Sequence, residues 1–358
     1  MRIVAAMSGG VDSSVVAGLL AEAGHEVIGV TLQLYDAGAA SRRKGACCAG
    51  QDIHDARDVA DRLGIAHYVI DREARFRSSV VQDFADSYAR GETPVPCVRC
   101  NMGVKFTDLL GLARDLGAEA MATGHYVRRI DGPFGPELHR AKDESRDQSW
   151  FLFATTPEQL AYIRFPLGDM PDKAHVRAEA SRLGLAVSAK PDSQDLCFVP
   201  EGGYAAAVTR LRPDAAQPGD IVTADGRVLG HHAGVAGFTV GQGRGLGPAS
   251  FDGSARQAVL AVDAERRQVV VGPRTAGSSH VQLRDVNWLT AARALRCTVK
   301  LRSREVPHAA EVQPGPDGTA TVLLDTPSLA APGQACVFYD GSRVLGGGFI
   351  TRAAASAA

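Results

Sequence analysis

The sequence predicts an α/β protein whose N-terminal part is an open parallel sheet, followed by two small β-rich domains. Over roughly the first 200 residues, short apolar runs alternate with stretches of helical periodicity, which is typical of parallel strands joined by crossover helices. Farther along, short alternating runs are separated by Asp-Gly pairs, which favour hairpin turns. The length of 358 residues exceeds one typical core, so several domains are expected.

The individual elements follow from apolar runs and from residues that end helices. The predicted strands of the N-terminal part are Arg2–Ala6, Glu26–Thr31, His67–Ile70 and Ala120–Thr123. The predicted helices are Ser13–Ala23, a stretch from Ile53 to Leu63, Val80–Arg90 and Phe106–Leu116. Gly24 and Gly64 stand where the end of a helix favours glycine. Hairpins are predicted at Asp225-Gly226, Asp317-Gly318 and Asp340-Gly341. The predicted domains are 1–204, 205–277 and 278–358, the last one β-barrel-like.

The composition excludes several classes of protein. Hydrophobic residues make up 45% and charged residues 22%, no stretch approaches eighteen apolar residues, and the apolar start is too short for a signal peptide. We therefore expect a cytoplasmic protein with no membrane span. Seven cysteines, an odd number, do not predict a disulfide framework. The net charge of −1 gives no overall support for nucleic-acid binding, which would have to use local clusters of basic residues.

The segment Ser8–Ser14 between the first strand and the first helix predicts a phosphate site. Two glycines allow a tight turn and a close approach to a ligand, while amides at a helix start and the serine hydroxyls bind anions. Asp12 suits the helix dipole or, with Mg²⁺, a leaving pyrophosphate. An ordinary glycine-rich turn is the alternative, and the register of strand, loop, acid and helix favours the phosphate site. The segment resembles the PP-loop of ATP pyrophosphatases, which split ATP into AMP and pyrophosphate.

Two further positions are expected beside the nucleotide, because ligands of open α/β sheets bind beyond the carboxyl ends of the strands. Leu32 is predicted to lie just past the second strand and Gly124 just past the strand Ala120–Thr123. Taken alone, Leu32 fits a core leucine equally well. His125, in the same polar turn as Gly124, also fits a solvated loop histidine.

The cysteines fall into two groups. Cys97 and Cys100 are predicted in a loop opened by Pro94 and Pro96, and Cys197 in a second polar loop. A C-x-x-C pair fits half of a zinc site, a redox pair, or a nucleophile with a bystander. The absence of a second pair disfavours zinc, and the predicted loop disfavours a redox pair at a helix start. The remaining cysteines, Cys47, Cys48, Cys297 and Cys336, are interpreted as structural thiols, although the basic run before Cys47 allows thiolate character there.

Several motifs occur in one order along nearly the whole chain. They are Met7–Ser14, Thr93-Pro94 with Pro96 to Phe106, Ala122–Tyr126, Arg146–Leu152, Lys190–Phe198 and Gly241–Gly247. This combination resembles the bacterial tRNA-specific 2-thiouridylase family, whose members replace the 2-oxygen of the wobble uridine with sulfur. The resemblance implies a PP-loop ATP pyrophosphatase domain that uses ATP with Mg²⁺, acts on tRNA, and receives sulfur from a persulfide donor such as a cysteine desulfurase or a sulfur-relay protein.

The same resemblance implies roles for individual residues. Cys100 would be the nucleophile and Cys197 the persulfide carrier. The implied ATP contacts are Ala6, Met7, Ser8, Gly9, Gly10, Val11, Asp12, Ser13, Leu32 and Gly124. The implied tRNA contacts are His125, Arg146, Asp147, Gln148 and Gln334. Two positions depart from the family: many members have Asp where this chain has Cys97, and Arg302-Ser303 replaces the usual Arg-Tyr, although Arg302 and Arg304 can still meet phosphates.

Three alternatives remain beside the thiolation hypothesis. An ammonia-using PP-loop ligase would not need Cys100 and Cys197, and a tRNA-binding protein without catalysis would not need the intact loop and thiols. An iron–sulfur protein could use Cys97, Cys100 and Cys197 as three ligands. For tRNA binding, the candidate basic clusters are Arg42-Arg43-Lys44, Arg128-Arg129, Arg140 with Lys142 and Arg146, and Arg302 with Arg304.

Overall fold

The computed structural model describes residues 1–35, 49–192, 196–199 and 203–352. The expectations for Arg42-Arg43-Lys44 and for Cys47 and Cys48 therefore lie outside the described residues, as does the Ser193–Asp195 part of the second cysteine loop. The chain divides into two compact units. The first contains Met1–Ser79, Cys97–Phe198 and Ser342–Val344, and the second contains Val80–Pro96, Val199–Gly341 and Leu345–Ala358. The three-domain boundaries drawn from the sequence stay a prediction.

The first unit is built on a five-stranded parallel sheet in the order β3-β2-β1-β4-β7. Its strands are β1 (Arg2–Ala6), β2 (Glu26–Gln33), β3 (Ala66–Asp71), β4 (Ala120–Ala122) and β7 (Ile163–Arg164). The antiparallel hairpin of β5 (Val127–Gly132) and β6 (Gly135–Arg140) follows β4. This arrangement confirms the predicted open parallel sheet. Because β1 lies between β2 and β4, the loops that follow β1 and β4 share one edge of the sheet, where such folds bind ligands.

Helices surround this sheet. They are α1 (Val11–Glu22), α2 (Ala49–Leu63), α3 (Glu73–Phe76), α5 (Pro96–Cys100), α6 (Leu109–Asp115), α7 (Ser149–Leu152), α8 (Pro157–Tyr162) and α9 (Lys173–Arg182). Val15 and Val16 of α1 are fully buried in one core with Ala5 of β1, which holds the first helix against the strand that precedes it. Gly24, at a φ of 78°, ends α1 with backbone bonds typical of a helix C-terminus, as predicted. None of the helices in the described ranges is long and apolar enough to span a lipid bilayer.

The prediction of a loop at Cys97–Asn101 was wrong. The structure has helix α5 from Pro96, continued by a π-helical stretch Asn101–Asp108 and then by α6. Proline fits the first turn of a helix, since its fixed φ is helical and its missing N–H would be unpaired there, so Pro96 marks a helix start. Val98 is fully buried and anchors α5. The sequence argument against a redox pair, which depended on a loop, therefore fails.

The second unit is rich in antiparallel strands. One sheet has the order β10-β11-β12-β8-β9, from β8 (Gly219–Thr223), β9 (Val228–His232), β10 (Phe251–Asp252), β11 (Ala255–Asp263) and β12 (Gln268–Pro273). Six strands follow in the order β13-β16-β15-β14-β17-β18 with β13 also paired to β18, from β13 (Ser278–Trp288), β14 (Leu295–Lys300), β15 (His308–Pro314), β16 (Ala320–Ser328), β17 (Ala335–Asp340) and β18 (Arg343–Ile350). The pairing of β13 with β18 closes a barrel. The helices of this unit are α4 (Gln82–Ala89) and α10 (Gly203–Leu211).

The three Asp-Gly pairs form the predicted hairpin turns. They connect β8 to β9, β15 to β16, and β17 to β18. At the second turn, Asp317 and Gly318 have φ angles of 51° and 70°, and positive φ at both central residues is the geometry that matches the twist of paired strands. The two groups of strands have separate hydrophobic cores, one around Val259 and Val269 and the other around Val299 and Phe338. The prediction of two small β-rich regions is confirmed.

Candidate active site

The segment Ser8–Ser14 forms the turn between β1 and α1. The N–H of Met7 still donates to Val30 O of β2 at 2.8 Å, so the turn begins where the sheet ends. Gly10 is the N-cap of α1 and has no side chain to cap the helix. The N–H groups of the first helical turn therefore point out of the helix without a capping side chain, the arrangement that binds phosphate.

The serine hydroxyls of this loop bond within the loop itself. Ser13 Oγ accepts from the Ser8 N–H at 3.1 Å and donates to Gly10 O at 3.1 Å, and Ser14 Oγ donates to Gly10 O at 2.9 Å. Ser13 and Ser14 thus fix the shape of the loop, whereas the sequence suggested that their hydroxyls form the anion site. Ser8 is exposed, and its hydroxyl lies 3.1 Å from that of Ser13.

Two glycines allow neighbouring backbone to pack directly against the loop. Gly9 has a φ of 71°, and a Cβ there would lie 2.1 Å from Asp52 O at the start of α2. Gly124 follows β4, and a Cβ there would lie 2.9 Å from Ser13 N. Gly124 thus lies against the loop Ser8–Ser14, while Leu32 lies within β2, paired with Ile70, instead of just past the strand as predicted.

We predict that Gly9→Ala damages the loop far more than Gly24→Ala. Both positions have positive φ, so both substitutions cost about 1–2 kcal/mol of backbone strain. At Gly24 the added methyl group meets no atom within 4 Å, whereas at Gly9 it collides with the backbone of Asp52. Thermal unfolding and ATP affinity of the two variants measure the difference. Equal ATP affinity in both variants would contradict the role of close packing at Gly9.

Asp12 lies at the centre of an ionic network on the loop. Both of its carboxylate oxygens accept from Lys173 Nζ at 2.7 Å, and one accepts from the Tyr126 hydroxyl at 2.6 Å. Lys173 is buried at the first position of α9, next to its N-cap Asp172. The buried ammonium group also lies 5.8 Å from the centre of the Tyr126 ring. A fixed positive charge is therefore held beside the acid of the phosphate loop.

Asp192 completes this network from the motif Lys190–Phe198. Its carboxylate lies 2.9 Å from Lys173 Nζ, 2.7 Å from Arg146 Nη1 and 3.3 Å from Arg177 Nη2. Partial burial raises the pKa of Asp192, but hydrogen bonds from Lys173 and Arg146 outweigh burial and the net pKa is lowered. Asp192 is therefore ionised at neutral pH. Arg146, predicted to contact tRNA, is tied to this carboxylate.

Lys190 connects the same motif to the phosphate loop. Its ammonium group donates to Gly9 O at 2.9 Å, to Asp52 at 2.6 Å and to Asp55. Burial lowers the pKa of Lys190, but the hydrogen bonds to Asp52 and Asp55 have a larger, opposite effect. The net pKa of Lys190 is therefore raised. The lysine thus binds the loop and the start of α2 together.

The turn after β4 brings His125 and Tyr126 beside the loop. His125 Nδ1 lies 2.9 Å from Thr123 Oγ1, and its ring meets Phe106 edge to face at 5.8 Å. Burial, together with the charge of Lys105, lowers the pKa of His125 to about 3, so the ring is neutral. Its proposed contact with tRNA stays a prediction.

Asp147 and Gln148 stabilise the protein at the positions where the sequence predicts RNA contacts. The Asp147 carboxylate accepts from Arg140 Nε at 3.1 Å and from two groups of Ser149, the N–H at 3.1 Å and the hydroxyl at 2.9 Å. Gln148 Oε1 accepts from the Tyr126 N–H at 2.8 Å and so fixes the turn that carries His125 and Tyr126. Their direct contacts with tRNA stay predictions.

The other predicted RNA-binding side chains also have protein partners. In the second unit, Arg302 donates to Leu329 O at 2.7 Å and lies 3.5 Å from Glu305, and Gln334 donates to Thr93 O at 3.0 Å. In the first unit, Arg128 Nε donates to Arg140 O at 2.9 Å and Arg129 Nε to Leu160 O at 3.0 Å. The contacts of these residues with tRNA remain predictions.

The thiols occupy different environments. Cys100 is buried in α5, whereas Cys97 and Cys197 are exposed. Burial raises the pKa of Cys100, and Lys105 opposes this effect in part, so the resting group is a thiol. Surrounding protein atoms raise the pKa of Cys97 too, again opposed by Lys105. Next to Cys197, the Phe198 ring packs edge to face on Phe76 at 5.8 Å and anchors the segment.

The described residues contain no group of three His, Cys, Asp or Glu side chains arranged to hold a metal ion. Cys97, Cys100 and Cys197 do not form such a group among the described residues, so these thiols are not arranged to share a single metal ion. Mg²⁺ needs only one or two protein carboxylates when substrate phosphates and water complete its shell. Asp12 and Asp192 fit that requirement, since Asp12 belongs to the loop and both carboxylates contact the same ammonium group of Lys173.

Comparison with known proteins places this site in a family. Models of three domains match consecutive parts of the chain: a tRNA methyl transferase HUP domain over residues 1–201, a tRNA methyl transferase PRC-barrel domain over 210–273 and an aminomethyltransferase beta-barrel domain over 278–350. A tRNA-specific 2-thiouridylase MnmA of Acidiphilium cryptum is 68% identical over 98% of this chain and 100% of its own length. The chain belongs to the tRNA-specific 2-thiouridylase family. The resemblance drawn from the motifs is thereby confirmed.

Other relatives in the 2-thiouridylase family are nearly as similar. The MnmA of Gluconobacter oxydans is 64% identical over 98% of this chain and 99% of its own length. The MnmA of Rhodospirillum centenum is 60% identical over 100% of this chain and 93% of its own length. The similarity thus includes both the parallel-sheet unit and the β-rich unit.

The sequence missed several residues that build the site. Lys173 belongs to none of the sequence motifs. It lies 161 residues beyond its partner Asp12, at an ordinary helix start, so the sequence does not indicate the contact. Lys190 and Asp192 lie inside a motif of the 2-thiouridylase family, but their partners Gly9, Asp52 and Lys173 become visible only in the folded chain. Lys105 follows Cys100 by five residues. A positive charge so close to the cysteine pair could have indicated from the sequence that Lys105 influences these thiols.

Proposed function

We propose that the chain is a tRNA-specific 2-thiouridylase, an ATP-using tRNA-uridine 2-sulfurtransferase that converts the wobble uridine to 2-thiouridine. The observation that carries the proposal is the phosphate loop with Asp12, Lys173 and Asp192 in the same compact unit as the thiols of Cys100 and Cys197. An ammonia-using ligase would need the loop alone. Two thiols in the same unit as an ATP site suit activation of an oxygen followed by attack of sulfur.

Adenylation comes first, because the uracil oxygen is a poor leaving group until it carries AMP. The 2-oxygen attacks the α-phosphorus of ATP, a new P–O bond forms, and the bond to pyrophosphate breaks. The free N–H groups at the start of α1 and the charge of Lys173 stabilise the negative charge that develops on the phosphates. When bound, Mg²⁺ supplies further charge neutralisation, and Asp12 and Asp192 are the carboxylates suited to hold it.

Sulfur transfer then uses the two cysteines. The terminal sulfur of a persulfide on Cys197 attacks C2 of the activated base, and AMP leaves with the former 2-oxygen. The thiolate of Cys100 attacks Cys197 Sγ, and the bond between that Sγ and the transferred sulfur breaks. The electron pair stays with the sulfur, which becomes 2-thiouridine, while Cys100 and Cys197 are oxidised to a disulfide. A thiol reductant restores both thiols, and a persulfide donor reloads Cys197.

The burial of Cys100 matters for this step. Its raised pKa means that a proton must leave before it attacks, and Lys105 is a nearby cation that favours the thiolate. Cys197 is exposed, which suits loading by a separate persulfide donor. Both cysteines are free thiols in this structure, which is the state from which the proposed cycle starts.

The experiment that tests the function is sulfur transfer to unmodified tRNA with ATP and a persulfide source. We expect 2-thiouridine in the digested tRNA, together with equal amounts of AMP and pyrophosphate. Omitting ATP, or replacing the persulfide source by ammonia, should give no modified nucleoside. Release of AMP and pyrophosphate without any 2-thiouridine, under conditions that load Cys197, would reject the proposal.

Cys97 is predicted to be replaceable. It is exposed on α5, near Cys100 and Lys105, and the transfer described above does not need its thiol. We expect Cys97→Ser to keep partial activity with no change in metal content. Activity, iron and sulfide are measured on anaerobically prepared wild type and variant. Stoichiometric iron and sulfide in active wild type, both lost together with activity in Cys97→Ser, would contradict the metal-free mechanism.

A further inference from the structure

A cavity of about 430 Å³ lies in the second unit. It is bordered by the end of β9 at His232, by the short helical turn Val235–Gly237 with Phe238, and by the segment Gly245–Pro248. Its volume falls within the range of ~300–1,000 Å³ that small-molecule pockets occupy. The segment Gly245–Pro248 overlaps the motif Gly241–Gly247, which neither adenylation nor sulfur transfer uses.

His232 lines this cavity and carries a buried hydrogen-bond acceptor that no described protein group uses. Its side chain is buried, and Nε2 lies 3.1 Å from Arg267 O, a carbonyl that can only accept. The proton is therefore on Nε2 and Nδ1 carries a lone pair. Burial lowers the pKa of His232, so the ring stays neutral at neutral pH. Within the part of the chain that the structure describes, Nδ1 has no partner, and such a buried acceptor gains free energy when a ligand donates to it.

The walls of the cavity suit a flat, neutral group. A Cβ added at Gly237 or at Gly247 would meet no atom within 4 Å, so both glycines border open space. The Phe238 ring lies beside His232, with 5.4 Å between ring centres. The described lining contains no Asp, Glu, Lys or Arg side chain, which disfavours a phosphate or another charged group inside.

A positive charge lies next to the cavity in sequence. Arg244 immediately precedes Gly245 and is exposed. Over the ranges that the structure describes, its guanidinium forms no ion pair with a carboxylate, whereas Arg227 of the same unit is paired with Asp252. An exposed arginine beside a neutral slot matches a ligand that has a planar uncharged part and a phosphate attached to it.

We propose that this cavity binds an unstacked nucleobase of the tRNA substrate, with an N–H of the base donated to His232 Nδ1 and the adjacent phosphate facing Arg244. The inference rests on the proposed function, which supplies the tRNA. Proteins that recognise RNA commonly place splayed bases against aromatic side chains and hydrogen-bond their edges. Gly245 and Gly247 of the motif Gly241–Gly247 line the slot and place no side chain in it.

Filling the cavity tests the proposal. Gly237 does not have positive φ and borders open space, so Gly237→Leu should occupy the slot without backbone strain. We expect tRNA affinity at a fixed salt concentration to fall by about tenfold or more, the effect of losing one stacked base. Gly111→Leu is the matched control, since Gly111 of α6 also meets no atom within 4 Å of an added Cβ. Equal tRNA affinity in wild type and Gly237→Leu would overturn the proposal.

A pair of variants at His232 distinguishes loss of the Nδ1 acceptor from loss of folding. His232→Gln can keep the donor to Arg267 O and loses the Nδ1 acceptor, whereas His232→Asn can keep an oxygen near Nδ1 and loses that donor. We expect the Gln variant to bind tRNA more weakly than the Asn variant, while thermal unfolding shows both to be folded. Stronger binding by folded His232→Gln than by folded His232→Asn would overturn the assignment of the acceptor.

Two further measurements distinguish base binding in this cavity from a failure of the proposed function and from binding of a free nucleotide. At saturating tRNA, single-turnover thiolation by Gly237→Leu should match wild type, because the chemistry lies in the first unit. Thiolation absent from wild type would instead reject the proposed function. Chemical probing should show one tRNA base protected by wild type and not by Gly237→Leu. If Gly237→Leu loses affinity for AMP but not for tRNA, the base comes from a free nucleotide and the tRNA proposal is overturned.

Discussion

Cys197→Ser and Cys100→Ser are both expected to abolish 2-thiouridine formation, but they should stop the reaction at different points. Cys197→Ser removes the sulfur carrier, so no persulfide accumulates on the active-site cysteines. Cys100→Ser leaves the exposed Cys197 free to be loaded but removes the thiolate that breaks the S–S bond. Its persulfide should therefore stay on Cys197, or remain joined to the base after AMP has left.

Mass spectrometry after loading, with and without ATP and tRNA, measures this asymmetry. Cys297→Ser is the matched control, since it removes a half-buried thiol from β14 in the barrel. That variant should retain full transfer. A persulfide found on Cys100 in the Cys197→Ser protein, or normal 2-thiouridine formation by Cys100→Ser, would reverse or reject the assignment of carrier and nucleophile.

The elements that the sequence predicted well are those specified by local chemistry. The Asp-Gly hairpins and the ends of α1 and α2 depend on the backbone freedom of glycine at positive φ, which one or two residues reveal. Pro96 shows how the same kind of signal can mislead. Proline is typical of both loops and first helical turns, and burial of Val98 in the core decides for the helix.

The polar network of the site was less predictable, because its bonds join distant parts of the chain. Nothing near Asp12 in the sequence indicates Lys173, and only folding brings α9 against the loop. Asp147 illustrates the opposite case. Its place in a motif implies an RNA contact, yet its buried carboxylate accepts hydrogen bonds from Ser149 and Arg140. These bonds within the protein explain why an aspartate stands at this position without any RNA contact.

Lys173→Met and Asp12→Ala are both expected to abolish adenylation and to leave the protein folded. Lys173 is the buried cation that holds Asp12 in the loop and adds positive charge where pyrophosphate forms. Removing one such group typically slows a reaction by about 10²–10³-fold. In Lys173→Met, Asp192 keeps Arg146 and Arg177 and Asp12 keeps the Tyr126 hydroxyl, so neither carboxylate is left without a partner.

The measurement is tRNA-dependent pyrophosphate release in a single turnover, with ATP affinity and thermal unfolding recorded for each variant. A group that acts on the developing charge lowers the rate more than it weakens ATP binding, whereas a purely structural lysine would change thermal stability first. Lys173→Arg keeps the charge with a different shape and should recover part of the rate. Arg266→Met, which removes an exposed cation outside this network, should behave as wild type in adenylation. Wild-type pyrophosphate release by folded Lys173→Met would show that the ion pair with Asp12 does not serve catalysis.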